Sequence, residues 1–134
     1  MPIDLSQLRD FAARYTAAWC SHDPSAVASF FSPNGSLTIN NGTPSVGRPA
    51  IAHAAQSFMS DFPDLHVLMD DLRIDNPRVE YHWTLVGTNT GPGGTGRKVR
   101  ISGFESWLFS PDNLIAESNG TFDETDYHRQ LHRT

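Results

Sequence analysis

The sequence predicts a single α+β domain over residues 1–134, in which N-terminal helices pack on a curved, mostly antiparallel sheet and leave a cone-shaped cavity between them. Three observations predict it. Bulky apolar residues recur at three- and four-residue steps through most of Leu5 to Phe62, the period of amphipathic helices. From Leu65 onward the period shortens to two, as half-buried strands require. The later apolar runs are joined by turn-forming clusters such as Asn76-Pro77-Arg78 and Ser110-Pro111-Asp112-Asn113, which is the pattern of a meander.

The first helix carries Leu5, Leu8, Phe11, Ala12, Tyr15 and Trp19 on one stripe, with Asp4 and Gln7 spaced as a capping box. A shorter second helix takes Asp23 as N-cap and Pro24 as its first residue. It is expected to bury Val27, Phe30 and Phe31 and to end at Pro33-Asn34-Gly35, making a hairpin with the first. Ser36 to Asn40 reads as a short strand, and Asn40-Asn41-Gly42-Thr43-Pro44 as a loop. A third helix starts near Pro49, sets Ile51, Ala54, Ala55, Phe58, Met59 and Phe62 on one side, and stops before Pro63. Leu65, Val67 and Met69 then alternate with His66, Leu68 and Asp70. Val79 to Thr90 is a long strand with Tyr81, Trp83 and Leu85 on one face. Gly91 to Gly96 connects it to Val99–Phe109. Leu114–Phe122 is the last strand, and a polar helix from Glu124 to His132 follows. Regular alternation turns Trp83, Leu85, Glu105, Trp107, Asn119 and Asp123 toward the cone.

Composition narrows the partners. Ten Lys and Arg against fifteen Asp and Glu, a net charge of −5, argue against a nucleic-acid partner, because phosphate binding needs clustered basic side chains. Residues 1 to 25 lack the basic start and unbroken apolar run of a secretory signal, and the one cysteine, Cys20, cannot form an internal disulfide. The cytoplasm is the expected compartment. No apolar run approaches the roughly 20 residues of a membrane span. His128 and His132 stand four apart, but no Glu follows His128 and no third ligand is evident, so neither a metal nor another cofactor is expected. The glycine-rich segment from Gly87 to Gly96 joins two strands, whereas phosphate cradles lead into a helix. No Gly-x-Ser-x-Gly elbow occurs.

The strand Tyr81-His82-Trp83-Thr84-Leu85-Val86-Gly87-Thr88-Asn89-Thr90-Gly91, the Thr95-Gly96-Arg97-Lys98 after it, the Ser102-Gly103-Phe104-Glu105 strand, and the ending from Ile115-Ala116-Glu117 through Asp123 to Gln130-Leu131 carry a resemblance over nearly the whole chain. It resembles the SnoaL-like polyketide cyclase branch of the nuclear-transport-factor-2-like superfamily. The resemblance implies a cofactor-free ring closure run by an aspartate near the end of the last strand, seven residues before the terminal Gln-Leu, and Asp123 stands there. The pattern departs at Asn119, where the family has tryptophan, at Glu105, where it has a strand histidine, and at Asn89, where it has histidine.

The residues point to acid/base chemistry on their own account. A carboxylate acts as a base near neutral pH when an apolar wall or a neighbouring charge raises its proton affinity. Asp123 and Glu105 would couple in that way if both faced one dry cone lined by Tyr15, Trp19, Phe31, Phe58, Trp83 and Trp107, with Asn119 as a supporting polar group. The expected activity is that of a cofactor-independent cyclase, isomerase or lyase on a small hydrophobic carbonyl compound. A non-catalytic small-ligand-binding domain is the alternative if Asp123 merely caps the last helix and Glu105 pairs with Arg97 or Arg100. An epoxide hydrolase would require an inward arginine beside the two carboxylates. The outer sheet face, with His82, Thr84, Val86 and Phe104, is apolar enough to predict a homodimer.

Overall fold

The structure is a computed structural model and describes residues 4–132. Helix α1 (Leu5–Cys20) opens on the expected reciprocal box: Asp4 accepts from the Gln7 backbone N–H at 2.7 Å, and its own N–H donates to Gln7 Oε1 at 3.1 Å. Leu8, Phe11, Ala12, Tyr15, Ala18 and Trp19 form its buried stripe, while Leu5 remains exposed. Asp23 caps the short α2 (Pro24–Ala28) through the N–H groups of Ser25 and Ala26.

Helix α2 is shorter than the sequence suggests. Phe31 does not belong to it but opens β1 (Phe31–Ile39), and Pro33-Asn34-Gly35 fall inside that strand, where pairing slips between Phe31 and Ser36. A residue without an N–H is tolerated where the ladder is interrupted, so the proline marks an irregularity and not a helix stop. The two-residue β2 (Ser45–Val46) pairs back on β1, and α3 (Arg48–Asp61) follows with Ile51, Ala55 and Met59 buried. The meander consists of β3 (His66–Asp75), β4 (Arg78–Thr88), β5 (Lys98–Phe109) and β6 (Ile115–Phe122), and α4 (Glu124–His132) comes last.

The strands form one sheet in the order β2-β1-β6-β5-β4-β3, antiparallel throughout except for β1 beside β6, which is parallel. Two register slips set which side chains face the helices. In β3 the pairing with β4 shifts between Met69 and Asp71, so the inward set passes from Val67 to Leu72, and Met69 is left 38% exposed. In the β5–β6 pair the shift lies between Leu108 and Phe109. Beyond it Glu105 pairs with Gly120 and Trp107 with Ser118, so the inner face of β6 carries Ser118, Gly120 and Phe122.

Beneath the sheet an aromatic cluster fixes the centre of the core. Trp107 stacks on Tyr81 with centroids 4.8 Å apart and meets Tyr15 edge-on at 5.2 Å. Such pairs add about 1 kcal/mol each to the area they bury. Beyond the end of β6 the chain turns into α4, and Gln130 replaces the missing strand: its amide accepts from Arg100 N–H at 2.7 Å and donates to Arg100 C=O at 2.9 Å. Among the described residues no helix is long and apolar enough to cross a membrane.

Candidate functional site

Between α1, α3 and the concave face of the sheet lies a cavity of about 60 Å³. Its wall is aromatic and aliphatic, with Trp19 from α1, Phe58 from α3, Trp83 from β4 and Phe122 from β6 among its members. Gly103 makes room for it. A Cβ there would lie 2.2 Å from the Thr121 carbonyl oxygen and 2.9 Å from Trp83 Cζ2, so only glycine lets the indole lie across β5.

Among the described residues Glu105 is the one ionisable carboxyl in that wall. Strand alternation through Gly103, Glu105 and Trp107 points it inward, and register sets it between Tyr81 and Gly120. Its Oε1 accepts from Ser118 Oγ at 2.7 Å, from Trp107 Nε1 at 3.0 Å and from Tyr15 Oη at 3.0 Å, and the same phenol lies 3.2 Å from Oε2. Glu105 is 8% exposed and has no cationic partner among the described residues. Burial raises its carboxyl above the ordinary range, and the donated hydrogen bonds from Trp107, Ser118 and Tyr15 pull it part of the way back. The Tyr15 phenol is pushed well up by burial first and by the adjacent Glu105 second. Tyr81 is raised chiefly by burial, and its hydroxyl is tied to Thr16. Among the described residues every buried side-chain nitrogen and oxygen has a partner.

The other residues singled out from sequence divide. Trp19, Phe58 and Trp83 line the cavity as expected. Tyr15, Phe31 and Trp107 lie outside its wall, in the fully buried core beneath; Tyr15 and Trp107 reach the site only through Glu105. Asn119 does not face inward: it is exposed on the opposite side of β6, with its amide donating to Glu117 at 3.2 Å. Asp123 is also outside. It is exposed just past the end of β6, where its carboxylate accepts from the Asp126 N–H at 3.0 Å as a helix cap. The expected pairing of two inward carboxylates is therefore replaced by Glu105 alone. Arg97 and Arg100 make no ion pair with it, and no arginine lines the cavity among the described residues, so the geometry an epoxide hydrolase would need is not assembled.

Sequence reasoning missed Ser118 and the cavity mouth. Ser118 is completely buried, and its signal would have been a small hydroxyl directly across the register from Trp107. A second depression shares Ile39, Phe58 and Phe122 with the cavity and continues to Asp61, Glu124, Tyr127 and His128 at the surface. No group of three or more potential metal ligands clusters among the described residues.

A family model described as SnoaL-like polyketide cyclase matches residues 9–131. Among solved structures, TsrD from Streptomyces laurentii superposes with a TM-score of 0.84 at 23% identity, covering 99% of this chain and 100% of that one. A protein from Catenulispora acidiphila with a ketosteroid isomerase-like fold, in complex with trimethylamine, gives 0.80 at 15% identity, covering 91% and 92%. SalBIII, an epoxide hydrolase/cyclase-like enzyme with a role in pyran ring formation in the polyether salinomycin, gives 0.77 at 18%, covering 92% and 95%. At these identities the likeness is one of fold. No curated protein matches the sequence.

Proposed function

Because the chain belongs to the SnoaL-like polyketide cyclase family, we propose that it is a cofactor-independent acid/base enzyme of the cyclase, isomerase or lyase type, acting on a small hydrophobic carbonyl compound with Glu105 as its proton-exchanging group. The observation that carries this reading is a lone buried carboxyl, raised by burial, in the wall of an otherwise apolar cavity. Trp107 Nε1–H can only donate, so Oε1 is an acceptor in either charge state and Oε2 is the oxygen that holds or releases the proton. The neutral acid would donate to a carbonyl oxygen and stabilise charge as it develops there. The ionised form would take a proton from the adjacent carbon, with Trp107, Ser118 and Tyr15 holding the carboxylate in place. Asp123, the residue the family resemblance favoured, has a capping partner and no face on the cavity, and is left out of this scheme.

The test is α-proton exchange of small hydrophobic ketones in deuterated water, followed by proton NMR. The intact protein should exchange at least one ketone of the series, and Glu105→Gln, which keeps the shape and the accepted hydrogen bonds, should slow that exchange by about 100-fold or more. Equal rates in the two proteins would sink the acid/base reading. A second reading, a non-catalytic binding domain for a small apolar ligand, is favoured by the capping role of Asp123 and by the full hydrogen-bonding of Glu105 Oε1. It predicts ligand binding without exchange.

We also propose a homodimer through the outer sheet face. There His82 stacks on Phe104 at 5.3 Å, Val86 is half-buried, and Leu68 is 39% exposed beside them on β3. Thr84, counted in that patch from sequence, is buried under hydrogen bonds to Asp70 and Ser102 and adds little to it.

A further inference from the structure

The cavity and the surface depression share Ile39, Phe58 and Phe122 in their walls, and the carboxylates that line the two are joined there by one imidazole, that of His128. Glu105 stands in the inner wall, and Asp61 at the end of α3 and Glu124 at the start of α4 stand at the mouth. No lysine or arginine lines either part among the described residues. None of the ion pairs among those residues involves Asp61 or Glu124; Glu124 has only a long contact from Asn40 Nδ2 at 3.4 Å. Two aromatic rings meet at the mouth, Phe122 and Tyr127, edge to face with centroids 5.5 Å apart. Asp61 and Tyr127 line the same depression, and the Tyr127 phenol is raised by burial first and by the charge of Asp61 second.

From this we propose that the cavity takes an amphiphilic amine, its apolar body inside against Trp19, Phe58 and Trp83 and its ammonium group at the mouth between Asp61, Glu124 and the Tyr127 ring. The inference rests on the reading that the cavity receives the substrate, and it adds the class: a hydrophobic molecule with a protonated nitrogen at the end that stays in contact with water. Three physical points favour it. An ammonium at a solvated mouth avoids the several kcal/mol that burying it would cost. Carboxylates that lack an internal cation and flank an aromatic face attract such a group both by charge and through the ring quadrupole. An anionic ligand of the same shape would meet repulsion at the mouth and again at Glu105.

The experiment uses a matched series on one skeleton: hexylamine, hexan-1-ol and hexanoate, titrated at pH 8, where an alkylamine stays protonated and a carboxylic acid stays ionised. Fluorescence of Trp19 and Trp83, both in the cavity wall, reports occupancy, and chemical shifts report it independently. The amine should bind tightest and the carboxylate weakest. The Asp61→Asn, Glu124→Gln double variant should lower amine affinity by roughly 3- to 10-fold, the scale of two solvated ion pairs, and leave the alcohol unchanged. Added salt should erase the amine's advantage. If the alcohol binds and the three probes are equal, or the carboxylate is preferred, the amine assignment is overturned while the cavity remains a ligand site. If no member of the series perturbs either tryptophan, the ligand-site reading itself fails and the amine assignment with it.

Discussion

The fate of one proton on Glu105 is where the sequence departs most from an ordinary protein core. A carboxyl whose proton affinity is raised by folding binds its proton more tightly in the folded chain than in the unfolded one. Its favourable contribution is therefore complete below the unfolded value of about 4.3 and is lost as pH rises through the higher folded value. Glutamine does not titrate and mimics the neutral acid. The Tm of Glu105→Gln relative to the parent should thus climb between pH 4 and neutral pH, by an amount worth about 1.4 kcal/mol for each unit by which folding raises the group. A Tm difference that stays flat across that window would mean the hydrogen bonds from Trp107, Ser118 and Tyr15 fully offset the cost of burial. At this scale the sequence was half legible. Alternation along Ser102-Gly103-Phe104-Glu105-Ser106-Trp107 pointed Glu105 inward correctly. On β6 the same counting, begun from the buried Ile115, selects Asn119 and Asp123, but the register slip at Leu108 and Phe109 reverses the parity and brings Ser118 and Gly120 to the site instead. A bulge has no strong signature in one sequence, and a one-residue slip exchanges the two faces.

Elements whose order depends on near neighbours were the most readable. The α1 stripe from Leu8 onward, the Asp4–Gln7 box, the Asp23-Pro24 start and the limits of α4 follow from side chains a few residues apart and are found as expected, whereas Leu5 in the first turn is exposed. The end of α2 was misplaced because Phe31 owes its burial to β6, far along the chain, and not to the helix before it. Helix α4 also shows how a side chain can stand in for a strand. Gln130→Ala would strip both partners from the Arg100 backbone at a place where water can replace them, which limits the loss to about 1 kcal/mol. Amide hydrogen exchange at Arg100 should accelerate by roughly the corresponding fivefold, with Phe104, two pairs further along β5, little changed. Uniform acceleration along β5 would show instead that α4 holds the whole sheet edge.

At the scale of the whole molecule, the α+β architecture was legible because the change of period at Leu65 separates the helical part from the meander. The parallel pairing of β1 with β6 was not, since no local pattern announces a partner some eighty residues away. The proposed homodimer belongs to this scale. Sedimentation at micromolar concentration should give twice the 14.8 kDa of one chain, and Phe104→Glu, which places a charge on the stacked face, should shift the population to single chains. A single-chain mass in the parent protein would count against the interface. Among the described residues the exposed Leu68 and the His82–Phe104 stack would then simply face solvent.

The β1–β6 pairing has a consequence for the order of events during biosynthesis. Leu37 lies beside Ser118, and Tyr15 reaches Glu105 across ninety positions of chain. Synthesis runs from the N-terminus at several residues each second, so α1 and β1 emerge from the ribosome long before the segments that complete their environment. Tyr15 and Phe11 of α1 lack Trp107 and Phe109 until β5 has followed, and β1 presents an open ladder on its β6 side for longer still. A nascent chain halted before Ile115 would display that open ladder, and it is at this stage that the protein would depend most on a holding chaperone.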